Sequence, residues 1–243
     1  MPIPALFSSS RRRRARTLLC CLATGFSLCL SPFSAPPPAV AGEDGIRLTV
    51  SEQLLRRAER EYGPDAKKRL LAWRDLMADA EKRRASDREL LALVNRFFNQ
   101  LHFIDDRIQW RQEDYWATPV EFLASGGGDC EDFAIGKFFT LINMGIAESK
   151  LTLTYVKSLT LNQAHMVLSY YAHPDAIPLI LDNIDQTVKP ATERGDLRPV
   201  YSVNGSGLWL AKRRGLGTMI GSGDQLDQWR RLAARMGEQF PQD

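Results

Sequence analysis

Cysteine is scarce in this sequence. Only four cysteines occur in 243 residues, and three of them (Cys20, Cys21 and Cys29) lie within the first 41 residues. The rest of the chain has a single thiol, Cys130. One thiol excludes an intramolecular disulfide and any zinc site that needs two or more thiolates. In an oxidising compartment, where cysteines normally pair, a lone thiol is either buried and inert or retained for chemistry.

The first 41 residues have the pattern of a secretory signal peptide. Arg11–Arg14 and Arg16 precede an apolar run over residues 18–30, and the small residues Ala39 and Ala41 follow. The apolar run is too short to span a bilayer comfortably, so we expect a removed leader and not a retained anchor. The arginines also leave a twin-arginine export route open, although the usual flanking residues are absent. The sequence therefore predicts an exported protein.

The remaining chain lacks an excess of charge of either sign. Once the five leader arginines are set aside, 27 lysines and arginines face 29 aspartates and glutamates, a net charge of −2. A near-neutral chain has no basic signature for nucleic-acid binding. Internal repeats are absent too, and so are low-complexity segments outside the leader. We therefore expect no nucleic-acid partner and no repeat architecture.

Hydrophobic periodicity predicts helices in the first half of the chain and strands in the second. Apolar residues recur at helical spacing in five segments, 51–62, 65–84, 86–101, 120–124 and 129–144. Strand patterns follow at 151–156, 165–171, 178–183, 200–203 and 208–210, and an amphipathic helix spans 225–239. Consecutive strands without intervening helices imply an antiparallel sheet. The prediction is an α+β fold, with N-terminal helices packed on that sheet.

We assign residues 42–243 to a single domain. Its parts are a helical region over 51–101, a core over 102–211 that contains the candidate chemistry, and the C-terminal helix over 225–239. The basic, glycine-rich segment 212–223 is predicted to be an exposed loop.

Cys130 lies in an unusual stretch of sequence. Three glycines, Gly126–Gly128, are followed by Asp129, the cysteine, Glu131 and Asp132, and then by an apolar helical segment. A thiol in the first turn of a helix has its thiolate favoured by unpaired N–H groups and by the helix dipole. The alternative is that the acids merely complement the dipole and the cysteine is a small core residue. Because no second thiol remains, we favour a nucleophile.

The later strands supply a histidine and an aspartate in usable order. His165 opens one strand and Asp182 ends the next, and adjacent strands are about 5 Å apart. Cysteine, histidine and an orienting carboxylate are the parts of a thiol nucleophile with its base. His102 and His173 are alternative histidines, and Asp175 and Asp185 are alternative acids. These four fall in segments that are predicted to be loops or turns, so Cys130, His165 and Asp182 form the favoured triad.

Three segments around these residues resemble the motifs of the bacterial transglutaminase-like cysteine proteases of the LapG type. The resemblance extends from about residue 88 to 210, and its order and spacing agree. It is carried by Gly128-Asp129-Cys130-Glu131-Asp132-Phe133-Ala134, by Asn162-Gln163-Ala164-His165-Met166-Val167-Leu168 and by Leu181-Asp182-Asn183. It also includes residues 114–119 and 207–210.

The resemblance implies a papain-like, transglutaminase-like fold with Cys130 as nucleophile, His165 as base and Asp182 as orienting acid. It also implies a calcium-dependent periplasmic protease that cuts the N-terminal region of a large surface adhesin near a pair of alanines. Cleavage would release the adhesin and disperse the biofilm. An inner-membrane receptor for cyclic di-GMP would sequester the protease when the nucleotide is abundant.

The calcium ligands are predicted from the acids around the cysteine. Asp129, Glu131 and Asp132 place three carboxylates within four residues, and Ca²⁺ prefers such hard oxygen ligands. Their spacing is not that of an EF-hand, so the resemblance adds most of the support for calcium. Asp106, from the preceding acidic loop, is our choice for a further ligand.

The second donor of an oxyanion hole stays open at this point. The Cys130 main-chain N–H is the natural first donor. Trp110, Trp116 and Gln163 are alternatives for the second. Two other functions also stay open, namely acyl transfer by a transglutaminase or amidase on the same triad, and a catalytically silent module that binds a receptor.

Overall fold

The structure is a computed structural model that describes residues 48–210 and 215–240. The predicted signal peptide, residues 1–41, lies outside the described residues. Residues 212–214 of the predicted exposed loop lie outside them as well.

Three amphipathic helices form the N-terminal part, and the sequence explains where they begin. They are α1 (Glu52–Tyr62), α2 (Pro64–Arg83) and α3 (Asp87–Phe98). Ser51 caps α1 by accepting a hydrogen bond from the Leu54 N–H, and Ser86 forms the predicted capping box with Glu89 at the start of α3. The helix predicted to reach residue 101 ends at Phe98.

Two short strands and two short helices precede the long central helix. In chain order these elements are β1 (His102–Phe103), α4 (Asp106–Gln109), α5 (Pro119–Ser125), β2 (Gly127–Gly128) and α6 (Cys130–Asn143). Strands β1 and β2 pair in parallel. Arg69 of α2 donates from Nη2 to the carbonyl of Ala124 at 2.7 Å, so it caps the last turn of α5. The glycine turn before Cys130 is therefore held from two sides.

The second half of the chain is a seven-stranded antiparallel sheet. Its spatial order is β6-β5-β4-β3-β7-β8-β9. The strands are β3 (Leu151–Ser158), β4 (Gln163–Tyr170), β5 (Leu179–Leu181), β6 (Lys189–Pro190), β7 (Leu197–Asn204), β8 (Gly207–Leu210) and β9 (Thr218–Gly221). Three short 3-10 turns accompany the sheet: Glu148–Lys150 precedes β3, Ala191–Glu193 lies between β6 and β7, and Gly223–Gln225 follows β9. The final helix is α7 (Asp227–Gln239).

The core lies where α6 packs against β4 and β3. Met166 and Leu168 of β4 are buried together with Phe133 and Phe138 of α6. Trp229 of α7 contacts Phe138 and Phe139 of α6, with ring centroids 5.8 Å and 6.2 Å away. The predicted α+β fold is confirmed, since helices cover one face of an antiparallel sheet.

Part of the segment predicted to be a loop is a strand. β9 pairs with β8 at the edge of the sheet. Its side chains are exposed or half-buried along its length, so no apolar alternation marks it in the sequence. Of the helices in the described residues, none has the length and apolarity needed to cross a bilayer.

The approach of β1 to β2 gives a first prediction. A Cβ added at Gly127 would lie 2.6 Å from the His102 carbonyl oxygen and 2.7 Å from the Ile104 side chain. We expect Gly127→Ala to lower the free energy of unfolding by about 1–3 kcal/mol, because main-chain atoms must move apart. Chemical denaturation measures this.

The matched control is Gly237→Ala in α7, where an added Cβ meets nothing within 4 Å. Alanine is favoured over glycine inside a helix, so this variant should gain about 0.5–1 kcal/mol. Equal stabilities for the two variants would contradict the close approach at Gly127.

Candidate active site

Cys130 is the first residue of α6, directly after the glycine turn. Its half-buried thiol donates a hydrogen bond to Glu131 Oε2 at 2.9 Å. The main-chain N–H of Met166 on β4 is also directed at the sulfur and favours its charged form. Because Met166 follows His165, the packing of α6 on β4 brings the thiol to the peptide that carries the histidine.

His165 and Asp182 form a buried hydrogen-bonded pair. His165 Nε2 lies 2.8 Å from Asp182 Oδ1, and both residues are buried. The same carboxylate oxygen accepts the Ile184 N–H at 3.0 Å. Since Nε2 is occupied by the carboxylate, Nδ1 is the ring nitrogen that remains for proton exchange.

Asp182 is held by two residues that the sequence analysis did not single out. Arg194 Nη2 donates to Asp182 Oδ2 at 2.8 Å, and Asn99 Nδ2 donates to the main-chain oxygen of Asp182 at 2.8 Å. Burial alone would raise the pKa of Asp182, but the hydrogen bonds from His165, Ile184 and Arg194 together lower it below its ordinary value. The carboxylate is therefore ionised and fixed.

The alternative residues lie elsewhere. His102 and His173 are exposed. Asp175 is exposed, and Asp185 pairs with Lys189 at 2.7 Å. None of these acids contacts His165 in the described residues, whereas Asp182 does.

A second constellation adjoins the thiol. One carboxylate oxygen from each of Asp106, Asp129 and Asp132 lies within 4.8 Å of the others. Asp106 Oδ2 accepts the Tyr115 N–H at 2.5 Å, and Asp132 Oδ1 accepts the Ala117 N–H at 2.7 Å. Each acid nevertheless keeps one buried oxygen that has no hydrogen-bond partner among the described residues: Asp106 Oδ1, Asp129 Oδ1 and Asp132 Oδ2. Unpaired buried oxygens of this kind are what a hard divalent cation binds.

The acids of this cluster and the neighbouring thiol all have raised pKa values. Burial, and then the neighbouring carboxylates, raise the pKa of Asp106 to about 6 and that of Asp129 to about 10. The pKa of Asp132 is also raised, mainly by burial. Burial followed by the charges of Glu131 and Asp129 raises the pKa of the Cys130 thiol as well. Within residues 48–210 and 215–240, no lysine, arginine or histidine forms an ion pair with these three acids, so a compensating positive charge is missing there.

The chain matches a known family of proteases. Residues 72–196 match the family model described as bacterial transglutaminase-like cysteine proteinase. The chain belongs to this family. It is therefore a cysteine proteinase.

Solved structures of Legionella pneumophila LapG are similar over most of the chain. The EGTA-treated form is 45% identical with a TM-score of 0.68, and the match covers 79% of this chain and 100% of LapG. The calcium-bound form is also 45% identical, with a TM-score of 0.65, and the match covers 77% of this chain and 99% of LapG. No curated protein matches the chain.

Glu131 occupies a different place from the other predicted metal ligands of this proteinase. Its carboxylate accepts the thiol hydrogen bond, and it does not belong to the cluster of three within the described residues. A ligand role for Glu131 therefore stays a prediction, whereas Asp106, Asp129 and Asp132 converge in space. Asp106 was predicted only from its place in an acidic segment of the sequence, and the structure brings it next to Asp129 and Asp132.

The second oxyanion donor also stays a prediction. The Trp116 side chain hydrogen-bonds Asp114, which partly offsets the rise that burial causes in the pKa of that acid. Trp110 packs on Tyr115 with ring centroids 4.9 Å apart, and its buried Nε1 finds no hydrogen-bond partner within residues 48–210 and 215–240. Gln163 is exposed at the start of β4.

The raised pKa of Asp106 gives a prediction for the metal-free proteinase. Its pKa is about 6 in the fold against 3.8 as its ordinary value, so its ionisation reduces stability as pH rises from about 4 to about 6. We expect Asp106→Asn, measured with a chelator at pH 7, to raise Tm by about 2–6 °C.

Asp105→Asn is the matched control. Asp105 is the neighbouring acid, and its hydrogen bonds with Arg107 lower its pKa. This variant should show no gain in Tm with chelator. An equal gain in Tm for both variants would contradict the idea that ionisation of Asp106 in particular destabilises the metal-free fold.

Proposed function

We propose that this proteinase is a calcium-dependent endopeptidase of the periplasm that cleaves the N-terminal region of a large surface adhesin near a pair of alanines. Cleavage releases the adhesin and promotes biofilm dispersal. The observation that carries the chemistry is the buried His165–Asp182 hydrogen bond of 2.8 Å beside a thiol at the start of α6. The substrate is proposed from the resemblance of the three motifs to the LapG type.

The proposed chemistry uses the three side chains in turn. The Cys130 proton passes to His165, and the sulfur attacks the carbonyl carbon of the scissile peptide. The protonated imidazole, oriented by Asp182 through Nε2, then gives its proton to the leaving amine as the C–N bond breaks. Water next attacks the thioester, with the imidazole as base, and restores the free thiol. The Cys130 N–H at the helix start stabilises the oxyanion.

Calcium is proposed as the ion for the acidic cluster. Three unpaired buried oxygens from Asp106, Asp129 and Asp132 fit it, and LapG of Legionella pneumophila has been solved in a calcium-bound form. When bound, the cation supplies the positive charge that the cluster lacks. Asp106 and Asp132 also hold the 115–117 segment through main-chain hydrogen bonds. The same residues therefore link ion binding to the order of the loop beside the thiol.

Location and control complete the proposal. The signal-peptide pattern supports export, and the resemblance to the LapG type supports a periplasmic site of action. The proposed partner, apart from the adhesin, is the periplasmic domain of an inner-membrane receptor for cyclic di-GMP that sequesters the proteinase.

The central test uses the N-terminal fragment of an adhesin encoded beside this proteinase. We expect cleavage with calcium, no cleavage with chelator, and a loss of at least about 10³-fold in rate for Cys130→Ala, because the nucleophile is removed. The measurement is the appearance of a new N-terminus, read by mass spectrometry. Full activity in Cys130→Ala would refute the nucleophile.

The same reaction separates hydrolysis from acyl transfer. A transglutaminase would form its thioester on a glutamine side chain with loss of ammonia and resolve it with an amine, so an added primary amine would become covalently attached to that side chain and the polypeptide would stay uncut. Binding of the receptor domain without any cleavage, at every calcium concentration, would instead favour a silent module.

The calcium site has its own prediction. Asp132→Asn keeps an acceptor for the Ala117 N–H but removes one charge from the cluster. We expect calcium affinity, measured by titration calorimetry, to fall by about a hundredfold or more, because affinity depends on the charge of the ligands.

Asp175→Asn, at an exposed acid in the turn before β5, is the control and should bind calcium as the parent does. Unchanged calcium affinity in Asp132→Asn would show that calcium does not bind at the acidic cluster. If the parent protein cleaves the fragment equally well with chelator, the reaction does not require calcium.

A further inference from the structure

We infer that Arg194 is a positioning residue of this active site, which fixes the carboxylate of Asp182 and through it the ring of His165. The inference rests on the proposed function, because it assigns Arg194 to the same reaction. Arg194 lies between the 3-10 turn Ala191–Glu193 and β7.

The contacts of Arg194 form a bridge between two acids. Its side chain is only 5% exposed, and Nη2 donates to Asp182 Oδ2 at 2.8 Å. Nε and Nη2 donate to the two carboxylate oxygens of Asp196 at 3.0 Å and 2.8 Å. A guanidinium presents its donors in a rigid plane, so Asp196 fixes the orientation from which Arg194 meets Asp182.

The two oxygens of Asp182 have different partners. Oδ1 accepts from His165 and from the Ile184 N–H, whereas Arg194 is the donor recorded for Oδ2. The Asp182 side chain is fully buried, so bulk water cannot replace that donor. Without the guanidinium, a buried carboxylate oxygen would lose its partner, and rotation of the carboxylate would move Oδ1 away from the histidine.

Other charged groups near this pair do not offer the same contact. Lys137 of α6 is fully buried; burial lowers its pKa to about 7, and the charge of Asp182 opposes this shift. In the part of the chain that the structure describes, its Nζ has no hydrogen-bond partner. Asp185 acts on Arg194 only through its charge. In the described residues, Arg194 is therefore the cation that bonds Asp182 directly, besides His165 when that ring is protonated.

The segment that carries Arg194 has main-chain hydrogen bonds of its own. The Arg194 N–H donates to the Ala191 carbonyl at 3.2 Å, and the Leu197 N–H donates to the Arg194 carbonyl at 3.1 Å. The Leu159 N–H donates to the Asp196 carbonyl at 2.8 Å. Because these bonds do not involve the guanidinium, we expect the segment to keep its course when the side chain is changed.

The first test reads the histidine without any need for activity. Of three histidines, two are exposed and only His165 is buried, so its Nε2 proton can be followed by NMR in a ¹⁵N-histidine-labelled Cys130→Ala protein. We expect Arg194→Met in this background to speed exchange of that proton with water until the resonance broadens. Hydrogen exchange of the β3 and β4 amides should stay unchanged. Arg194→Lys should restore part of the protection.

The second test is kinetic. In the active protein, Arg194→Met should lower kcat about 10- to 100-fold, as loss of a positioning partner does, with little change in KM. Arg198→Met is the matched control, since Arg198 lies four residues further on and is exposed; it should retain the parent kcat and the sharp His165 resonance.

The two readouts separate the inference from the proposed function. A sharp, slowly exchanging His165 proton in Arg194→Met overturns the inference, whatever the substrate proves to be. Absence of adhesin cleavage in the parent refutes the proposed function, and the NMR result still decides the role of Arg194. If Arg194→Met does not fold, both measurements are made on Arg194→Gln, whose shorter polar side chain cannot bridge the two acids.

Discussion

The site depends on a group of buried carboxylates placed next to a thiol. Cys130 must lose a proton to act, yet Glu131 and Asp129 oppose a negative charge on its sulfur. The helix start and the Met166 N–H act in the other direction, and the pKa of the thiol is still raised. The protein part of the site is thus built for an additional positive charge, and the unpaired oxygens of the acidic cluster show where such a charge fits.

The acids of the site form two groups that differ in their hydrogen bonds and in the direction of their pKa shifts. Asp182 has donors on both oxygens, and its pKa is lowered. Asp106, Asp129 and Asp132 each keep an oxygen to which no described residue donates, and their pKa values are raised. Asp182, Asp106 and Asp132 are buried and Asp129 is half-buried. The opposite pKa shifts follow from the donors to Asp182 and from the repulsion between the clustered carboxylates. This contrast separates an acid that orients a histidine from acids suited to hold a cation, a distinction that residue type alone does not provide.

Local patterns predicted much of the fold and the order of the triad. The capping box at Ser86, the alternation in β3 and the glycine turn before Cys130 each reflect forces within a few residues, so the sequence displays them directly. The sequence predicted Asp106 as a partner of Asp129 and Asp132 only from its place near other acids. In the structure, Asp106 and Asp132 both accept main-chain N–H groups of the 115–117 segment, and such contacts between distant parts of the chain leave no local pattern.

Other features leave no local signal. Arg194 is twelve residues from Asp182 and falls in a segment that looks like a polar connection; only the fold shows that it is buried. β9 forms through main-chain pairing with β8 while its side chains stay largely exposed, so periodicity cannot reveal it. Likewise, the two-residue pairing of β1 with β2 depends on a close approach at Gly127 that composition does not specify.

The two halves of the chain supply different parts of the site, and their packing joins them. The helical half provides the thiol, the acidic cluster and Asn99, which donates to the main chain of Asp182. The sheet half provides His165, Asp182 and Arg194. Because α6 packs on β4 through a close-packed apolar core, a shift of the helix start would move the nucleophile relative to its base. The glycine turn and the acids that follow it lie at the start of α6, so a change in their position would directly move the Cys130 thiol relative to His165.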